Sequence, residues 1–403
     1  MSPDEFYSIV ARQKLIDVAL GVKTPGYVWF RPIVERQVRR LRDALGPRFK
    51  LHFAVKANPH PSMLRLIREL GLGADVASAG ELERVLECGF EPEAVEFSGP
   101  GKRESELATA VEAGVGAINV ESLTELELLE RLARERGRRA NVGLRVNPSS
   151  KARTGLRMAG ATQFGISEED VGSALERLAA ATYLEFVGLH VHMGSQILDA
   201  DTIVQIYRTC LEIAALMTER TGRPLRKLNF GGGWGVTYFE GQKPLDLSSA
   251  RQGISALLEE ERFARAIADT RFVAEPGRFL VAESGIYVAE VLYTKRSGQA
   301  EFAIVDGGLS SNYLLAGGMG QVIRRNFHFD LVRCDERRTS PGGPVTVAGC
   351  LCTPQDVLLQ DAQFGVRPLP GDRIVFFNCG AYGASASPLG FLGHPAPSES
   401  LVA

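Results

Sequence analysis

The chain has no block of basic residues interleaved with aromatics, and its formal net charge is only −2. That excludes the electrostatic footprint of a nucleic-acid-binding protein. It has no apolar run long enough to cross a bilayer, and its acidic start, Met1-Ser2-Pro3-Asp4-Glu5, does not lead into the apolar core of a signal peptide. A cytoplasmic protein with no membrane segment is the expectation. Cysteine is sparse: Cys88, Cys210, Cys334, Cys350, Cys352 and Cys379 are scattered over 403 residues and form no disulfide framework. Cys350 and Cys352 have C-x-C spacing but no second Cys or His pair nearby, so no metal site is expected. There is no low-complexity segment and no internal repeat beyond an alternation of strand and helix.

What the chain does have is glycine, 43 in all, several of them directly after apolar runs. Eight such runs read as buried strands: Leu51–Val55, Ala74–Ala77, Val95–Ser98, Ala117–Val120, Val142–Val146, Phe186–Val191, Leu228–Phe230 and Phe272–Ala274. Segments with helical spacing lie between them, at Met63–Leu70, Ala79–Cys88, Glu104–Ala113, Leu123–Arg136, Glu168–Ala180, Thr202–Thr221 and Ser249–Asp269. Eightfold alternation predicts an α/β fold, a (β/α)8 barrel over residues 35–282, with a doubly wound open sheet as the competing architecture. From 283 to 403, period-2 patterns at Gly285–Tyr293, Ala300–Asp306, Gly343–Ala348 and Asp372–Phe377 predict a mostly-β domain. Residues 1–34, with a helical stretch from Asp4 to Leu20 and a strand at Gly26–Phe30, are expected to join that domain. The tail from Gly393 is expected to be loosely ordered.

In such a barrel, chemistry collects at the C-terminal ends of the strands. Strand 1 runs into Phe53-Ala54-Val55-Lys56-Ala57-Asn58. A lysine closing a buried strand is costly to desolvate, and one use for it is as an amine nucleophile forming a Schiff base with a carbonyl. Near the other strand ends lie Asp75, Arg145, His192, Ser195, the Gly231-Gly232-Gly233 turn and Glu275-Pro276-Gly277-Arg278. Glycine backbone with Arg278 and Ser195 suits a phosphate, Glu275 a protonated ring nitrogen, and His192 a flat ring to stack on. Together they meet the requirements of pyridoxal 5'-phosphate.

The motifs Phe53-Ala-Val-Lys-Ala-Asn58, Gly73-Ala-Asp-Val-Ala-Ser-Ala-Gly-Glu-Leu82, His190-Val-His-Met-Gly-Ser-Gln196, Asn229-Phe-Gly-Gly-Gly-Trp-Gly235, Glu275-Pro-Gly-Arg278, Cys352 with Asp356, and Gly380-Ala-Tyr-Gly383 run in order along nearly the whole chain. In these the sequence resembles the fold-type III pyridoxal-phosphate decarboxylases, which act on diaminopimelate, ornithine or arginine and have an alanine-racemase-like barrel followed by a β domain. The resemblance implies that Lys56 holds the cofactor, His192 stacks on its ring, Glu275 pairs with its ring nitrogen, and Ser195, Gly233, Arg278 and Tyr382 grip its phosphate. Asp75, Arg145, Gly232 and Gly277 belong to the same candidate set. It also implies a homodimer with shared active sites, in which Cys352 from the second subunit protonates the carbanion carbon after carbon dioxide leaves.

The sequence departs from that pattern at two places. In members that act on basic amino acids, an acidic residue follows the catalytic cysteine, whereas here Thr353 does, in Cys352-Thr353-Pro354-Gln355-Asp356. Gln163 stands where diaminopimelate decarboxylases tend to have lysine. Both features are similar to the branch that decarboxylates a glutamyl group on an acyl-carrier protein. The expected substrate therefore lacks a free distal ammonium and is a small-molecule amino acid or a carrier-tethered aminoacyl group, with Gln163, Thr353 and Asp356 as candidate substrate contacts. Diaminopimelate decarboxylation, racemisation or epimerisation, and a non-catalytic paralogue are the alternatives.

Overall fold

Eight apolar runs become eight parallel strands that close on themselves. In the computed structural model, which describes residues 1–149, 156–157, 162–318, 325–335 and 341–403, these strands are β1 (Phe49–Ala54), β2 (Gly73–Val76), β3 (Val95–Phe97), β4 (Ala117–Val120), β5 (Ala140–Asn147), β6 (Leu184–His190), β7 (Lys227–Asn229) and β8 (Arg271–Ala274). Each pairs in parallel with the next, and β8 pairs with β1, so the ring closes and the open-sheet alternative is excluded. The strands read as unbroken apolar runs because both faces are covered: every residue of β2, β3 and β4 is buried.

The intervening helices start where short polar side chains cap them. Ser78 accepts from the Glu81 N–H ahead of helix Ala79–Glu87, Ser122 from Glu125 ahead of Leu123–Glu135, and Asp199 from Thr202 ahead of Ala200–Thr221. Their inward faces are apolar at helical spacing, as in buried Leu126, Leu129, Leu132 and Ala133. Two helical expectations change. The stretch from Ser249 to Asp269 is two helices, Leu247–Leu258 and Glu261–Ala264, because Glu260 is extended between them. Helix Arg31–Leu45, rich in arginine and not expected from the sequence, buries Ile33, Val34, Val38 and Leu41.

The chain divides into two units: Val38–Gly235 with Leu245–Gly277, which is the barrel, and Met1–Gln37 with Val236–Pro244 and Arg278–Ala403. The boundaries thus fall at 37/38 and 277/278, and the short excursion Val236–Pro244 leaves the barrel, which nothing in the sequence signalled. The second unit is a mostly-β curled sheet. Strand Gly285–Ser297 pairs antiparallel with Gly26–Phe30, Arg373–Phe376 and Ala300–Val305. Its register shifts between Val291 and Tyr293. Strands Phe329–Val332 and Val357–Gln363 add to the four expected. The tail is ordered as strand Ser398–Val402, parallel to Gly26–Phe30. The single N-terminal helix expected from Asp4 to Leu20 is two, Pro3–Tyr7 and Arg12–Gly21, which bury Phe6, Leu15 and Ala19 in a core with Phe30, Ile286 and Phe377. Among the described residues, no helix is long and apolar enough to cross a membrane, and no group of three or more His, Cys, Asp or Glu side chains is placed to hold a metal ion.

Candidate active site

Strand β1 ends one residue earlier than its apolar run, and the backbone tightens into a 3-10 turn at Val55–Ala57. Val55 and Ala57 are buried and Lys56 is exposed. The expected cost of burying this lysine is therefore reduced: the turn buries the flanking residues and leaves Lys56 exposed. Its charge still acts on Asp75, Glu81 and His192. The end of β1 is tied to the end of β8, since Ala54 N–H donates to the Pro276 carbonyl at 3.2 Å. A Cβ on Gly277 would lie 3.0 Å from that of Ala57, so glycine allows the two strand ends to approach.

Glu275 lies just past the end of β8, 6% exposed, with both oxygens engaged. Oε2 is 2.9 Å from His190 Nε2, and Oε1 accepts from Asn229 Nδ2 at 2.6 Å. Burial alone would raise its pKa, but the His190 imidazole and the Asn229 amide hold it below the ordinary carboxylate value. Asp75 goes the other way: burial, and then the Glu275 charge, push its pKa well up. Two carboxylates at one end of a barrel are thus driven in opposite directions, Glu275 toward the ionised form and Asp75 toward the protonated one. The role of His190 was not foreseen. Strand β6 ends at His190, and His190 and His192 have different partners.

His192, half-buried, accepts from Gly232 N–H at Nδ1, 3.1 Å away, which fixes the tautomer with the proton on Nε2. Burial, the Lys56 ammonium and Arg145 drive its pKa well below the ordinary imidazole value, so the ring is neutral. The glycine turn after β7 is there because nothing larger fits. Gly231 has φ +67°, and a Cβ on it would lie 2.6 Å from the Val191 carbonyl; on Gly232 it would lie 2.3 Å from the Glu275 carbonyl. Gly194 and Ser195 pair with Leu156 and Arg157. Beyond them Ile197 N–H donates to the Gly233 carbonyl at 2.9 Å, clamping the Ser195 segment to the glycine turn.

Arg145, 6% exposed, is held by a partner the sequence did not reveal: Glu121 Oε1, 2.8 Å from Nη1. Glu121 also accepts from Gly99 and Gly165 N–H, and the guanidinium lies 4.8 Å from the Phe164 ring centroid. Gln163, beside Phe164, is exposed. Of the loop 154–166 that contains it, residues 154–155 and 158–161 lie outside the described residues.

The other unit carries the remaining candidates. Arg278, immediately after Gly277 in the chain, sits between two tyrosines, its guanidinium 4.5 Å from the Tyr382 ring and 5.6 Å from that of Tyr238, with Nη1 donating to Tyr238 Oη at 2.8 Å. Tyr238 was not singled out in the sequence because the excursion that carries it has no motif. Tyr382 is held at φ 54°, a left-handed conformation rare for a non-glycine residue. Cys352 is exposed in the turn between strands Pro344–Ala348 and Val357–Gln363. Asp356, expected as a substrate contact, is 2% exposed, and its carboxylate accepts from Leu309 N–H at 2.6 Å and Leu351 N–H at 2.9 Å. Its geometry is that of a loop anchor. Thr353 is half-buried and closes the turn, its N–H donating to the Leu351 carbonyl and its carbonyl accepting from Asp356 N–H.

An imidazole fixed in its neutral form, an ionised carboxylate, an accessible lysine and a glycine cradle at the end of one parallel barrel define a class: an enzyme built for a carbonyl cofactor with a phosphate tail and a basic ring nitrogen. Residues 32–282 match the model of the pyridoxal-dependent decarboxylase family, pyridoxal binding domain. The chain is 38% identical over 383 residues to L-glutamyl-[BtrI acyl-carrier protein] decarboxylase of Niallia circulans, covering 94% of this chain and 89% of that protein. It is 32% identical over 376 residues to diaminopimelate decarboxylase of Helicobacter pylori strain J99, covering 90% and 86%. The crystal structure of Helicobacter pylori diaminopimelate decarboxylase complexed with L-lysine superposes with a TM-score of 0.85 at 30% identity, over 96% of this chain and 93% of that one. The chain belongs to the pyridoxal-dependent decarboxylase family; it is an amino-acid carboxy-lyase that uses pyridoxal 5'-phosphate.

The side chains fit that cofactor. Among the described residues, Arg278 Nε and Asp75 Oδ1 are buried without a hydrogen-bond partner, a donor and an acceptor left over by the protein itself. Arg278 Nε suits a phosphate oxygen, and the ionised Glu275 suits a ring N–H.

Proposed function

We propose that this enzyme removes the α-carboxylate of an aminoacyl group that lacks a free distal ammonium and is tethered to a carrier protein, acting in the cytoplasm as a homodimer with shared active sites. The observation that supports the substrate class is the state of the Cys350–Asp356 turn. Its sole carboxylate, Asp356, is buried and accepts from two backbone N–H groups, so the turn offers no acid to a substrate ammonium. A buried ammonium without its carboxylate costs a few kcal/mol, on the order of a hundredfold or more in selectivity.

Bound pyridoxal phosphate serves as a sink for the electron pair left on Cα when carbon dioxide departs. Lys56 anchors it, Glu275 keeps a proton on its ring nitrogen, and neutral His192 offers a flat face to the ring. Arg278 and the Gly231–Gly233 backbone would hold the phosphate, with Ser195, Gly277 and Tyr382 completing the grip; Asp75 and Arg145 complete the candidate set. Cys352 of the second subunit delivers the proton to Cα, and Thr353 and Gln163 contact the distal end of the substrate.

The test is carbon dioxide release from free diaminopimelate, ornithine and glutamate and from glutamyl-carrier protein, with Lys56→Ala as control. Release from the carrier-tethered substrate alone is expected; equal or faster release from free diaminopimelate or ornithine overturns the proposal.

A further inference from the structure

Beneath Glu275 the barrel interior contains a second carboxylate that the reaction does not use. Glu96, on β3 and 1% exposed, takes an ion pair from Lys227 of β7, Nζ to Oε1 at 2.9 Å. Its other oxygen accepts from Asn119 Nδ2 at 3.2 Å and Asn229 Nδ2 at 2.8 Å. That same Asn229 nitrogen donates to Glu275 Oε1. Asn229 cannot turn its amide over: Oδ1 accepts from Gly231 N–H at 2.9 Å, and a flipped amide would set oxygen against two carboxylates. Both amide hydrogens are thus committed, one to each carboxylate.

Charge balance requires Lys227. Glu96 and Glu275 share one neutral amide, and Glu96 acts on Glu275 electrostatically. Unopposed, its charge would draw protons toward Glu275 and anything Glu275 binds. Lys227 cancels it, entering from the N-terminal end of the barrel, where a cavity of about 910 Å³ opens beside it. The other ionisable groups in this network are His52, whose Nδ1 is 3.6 Å from Glu96 Oε1 and on which Arg271 acts through its charge, and His190 and Asp75, which interact with Glu275.

We propose that Glu96 and Lys227 are a charge-balanced positioning pair that, through Asn229, sets the protonation of the cofactor ring nitrogen held by Glu275. This rests on the reading that Glu275 pairs with that nitrogen. The two members act in opposite senses. Removing Glu96 leaves an uncancelled ammonium that disfavours a protonated ring, whereas removing Lys227 leaves an uncancelled carboxylate that favours one.

The test is to load the protein with ¹⁵N-labelled pyridoxal phosphate and follow the ring-nitrogen resonance against pH in the wild type, Glu96→Gln, Lys227→Met and the double variant, together with cofactor affinity. Glu96→Gln is expected to move the ring midpoint down by about one pH unit and to weaken cofactor binding about tenfold. Lys227→Met is expected to move the midpoint up, and the double variant to return near wild type. Shifts of one sign in all three, or no shift, overturn the inference. If either single variant fails to take up cofactor, the double must recover it, and a double that does not recover overturns the inference as well. Glu275→Gln is the control for the underlying reading: if it leaves the wild-type midpoint unmoved, it is the Glu275 assignment that fails.

Discussion

In the barrel, the polar side chains are bound to one another; in the β unit, the turn that carries Cys352 is bound to its own backbone. His190, Glu275, Asn229, Glu96 and Lys227 form a continuous chain in which each member contacts the next. Cys352 is exposed, and the order around it comes from Asp356 accepting backbone N–H groups. The first arrangement suits a cofactor that is the same in every turnover, where preorganisation does the work. The second suits specificity, since the side chain at Thr353 can change while the Asp356 anchor of the turn stays in place.

Breaking the barrel side at the cofactor anchor has the largest effect. Lys56→Ala is expected to lower carbon dioxide release by several orders of magnitude and to abolish the borohydride-sensitive visible absorbance, with no change in thermal unfolding of the cofactor-free protein.

Next is Lys227→Met, which strands a buried carboxylate and is expected to cost about 3–5 kcal/mol in urea unfolding. Acid sensitivity should follow. Burial opposes ionisation of Glu96, but Lys227 and His52 bring its pKa down to about 2 from 4.5. A depressed carboxylate contributes stability above its unfolded pKa and loses it as pH falls toward the folded one. Roughly 3 kcal/mol should therefore disappear between those values in the wild type, and the loss should begin at higher pH without Lys227.

On the β side, Asp356→Ala leaves two N–H groups without an acceptor and is expected to cost about 1–3 kcal/mol. Turnover should fall while cofactor affinity stays unchanged, which is the sharpest separation of the two regions. The smallest effect is expected from Thr353→Glu, which adds an acid to the turn. Roughly a tenfold gain on free diaminopimelate, measured as kcat/KM, would show that specificity resides there.

Much of the barrel was legible because its strands are buried on both faces and so write their positions as apolar runs. The placement of Lys56, His192, the glycine turn and Glu275-Pro276-Gly277 at the strand ends was legible for a related reason: strand ends in a parallel barrel share one face, so position in sequence becomes position in space. Helix Arg31–Leu45 was not, because its charged residues mask its apolar stripe. Strand Ser398–Val402 was not either, since only its pairing with Gly26–Phe30 orders it.

What the sequence alone determined is the cofactor chemistry, carried by short motifs whose residues lie near one another in the chain. Tertiary structure decided everything that depends on distant residues meeting. It placed His190 and Asn229 on Glu275, Glu121 on Arg145, Tyr238 on Arg278 and Lys227 on Glu96. It also turned Asp356 inward, away from the role its position in the motif suggested. A lysine and a glutamate 131 residues apart carry no mark of their pairing; only the closure of the barrel brings them together, in an interior where neither charge could remain alone.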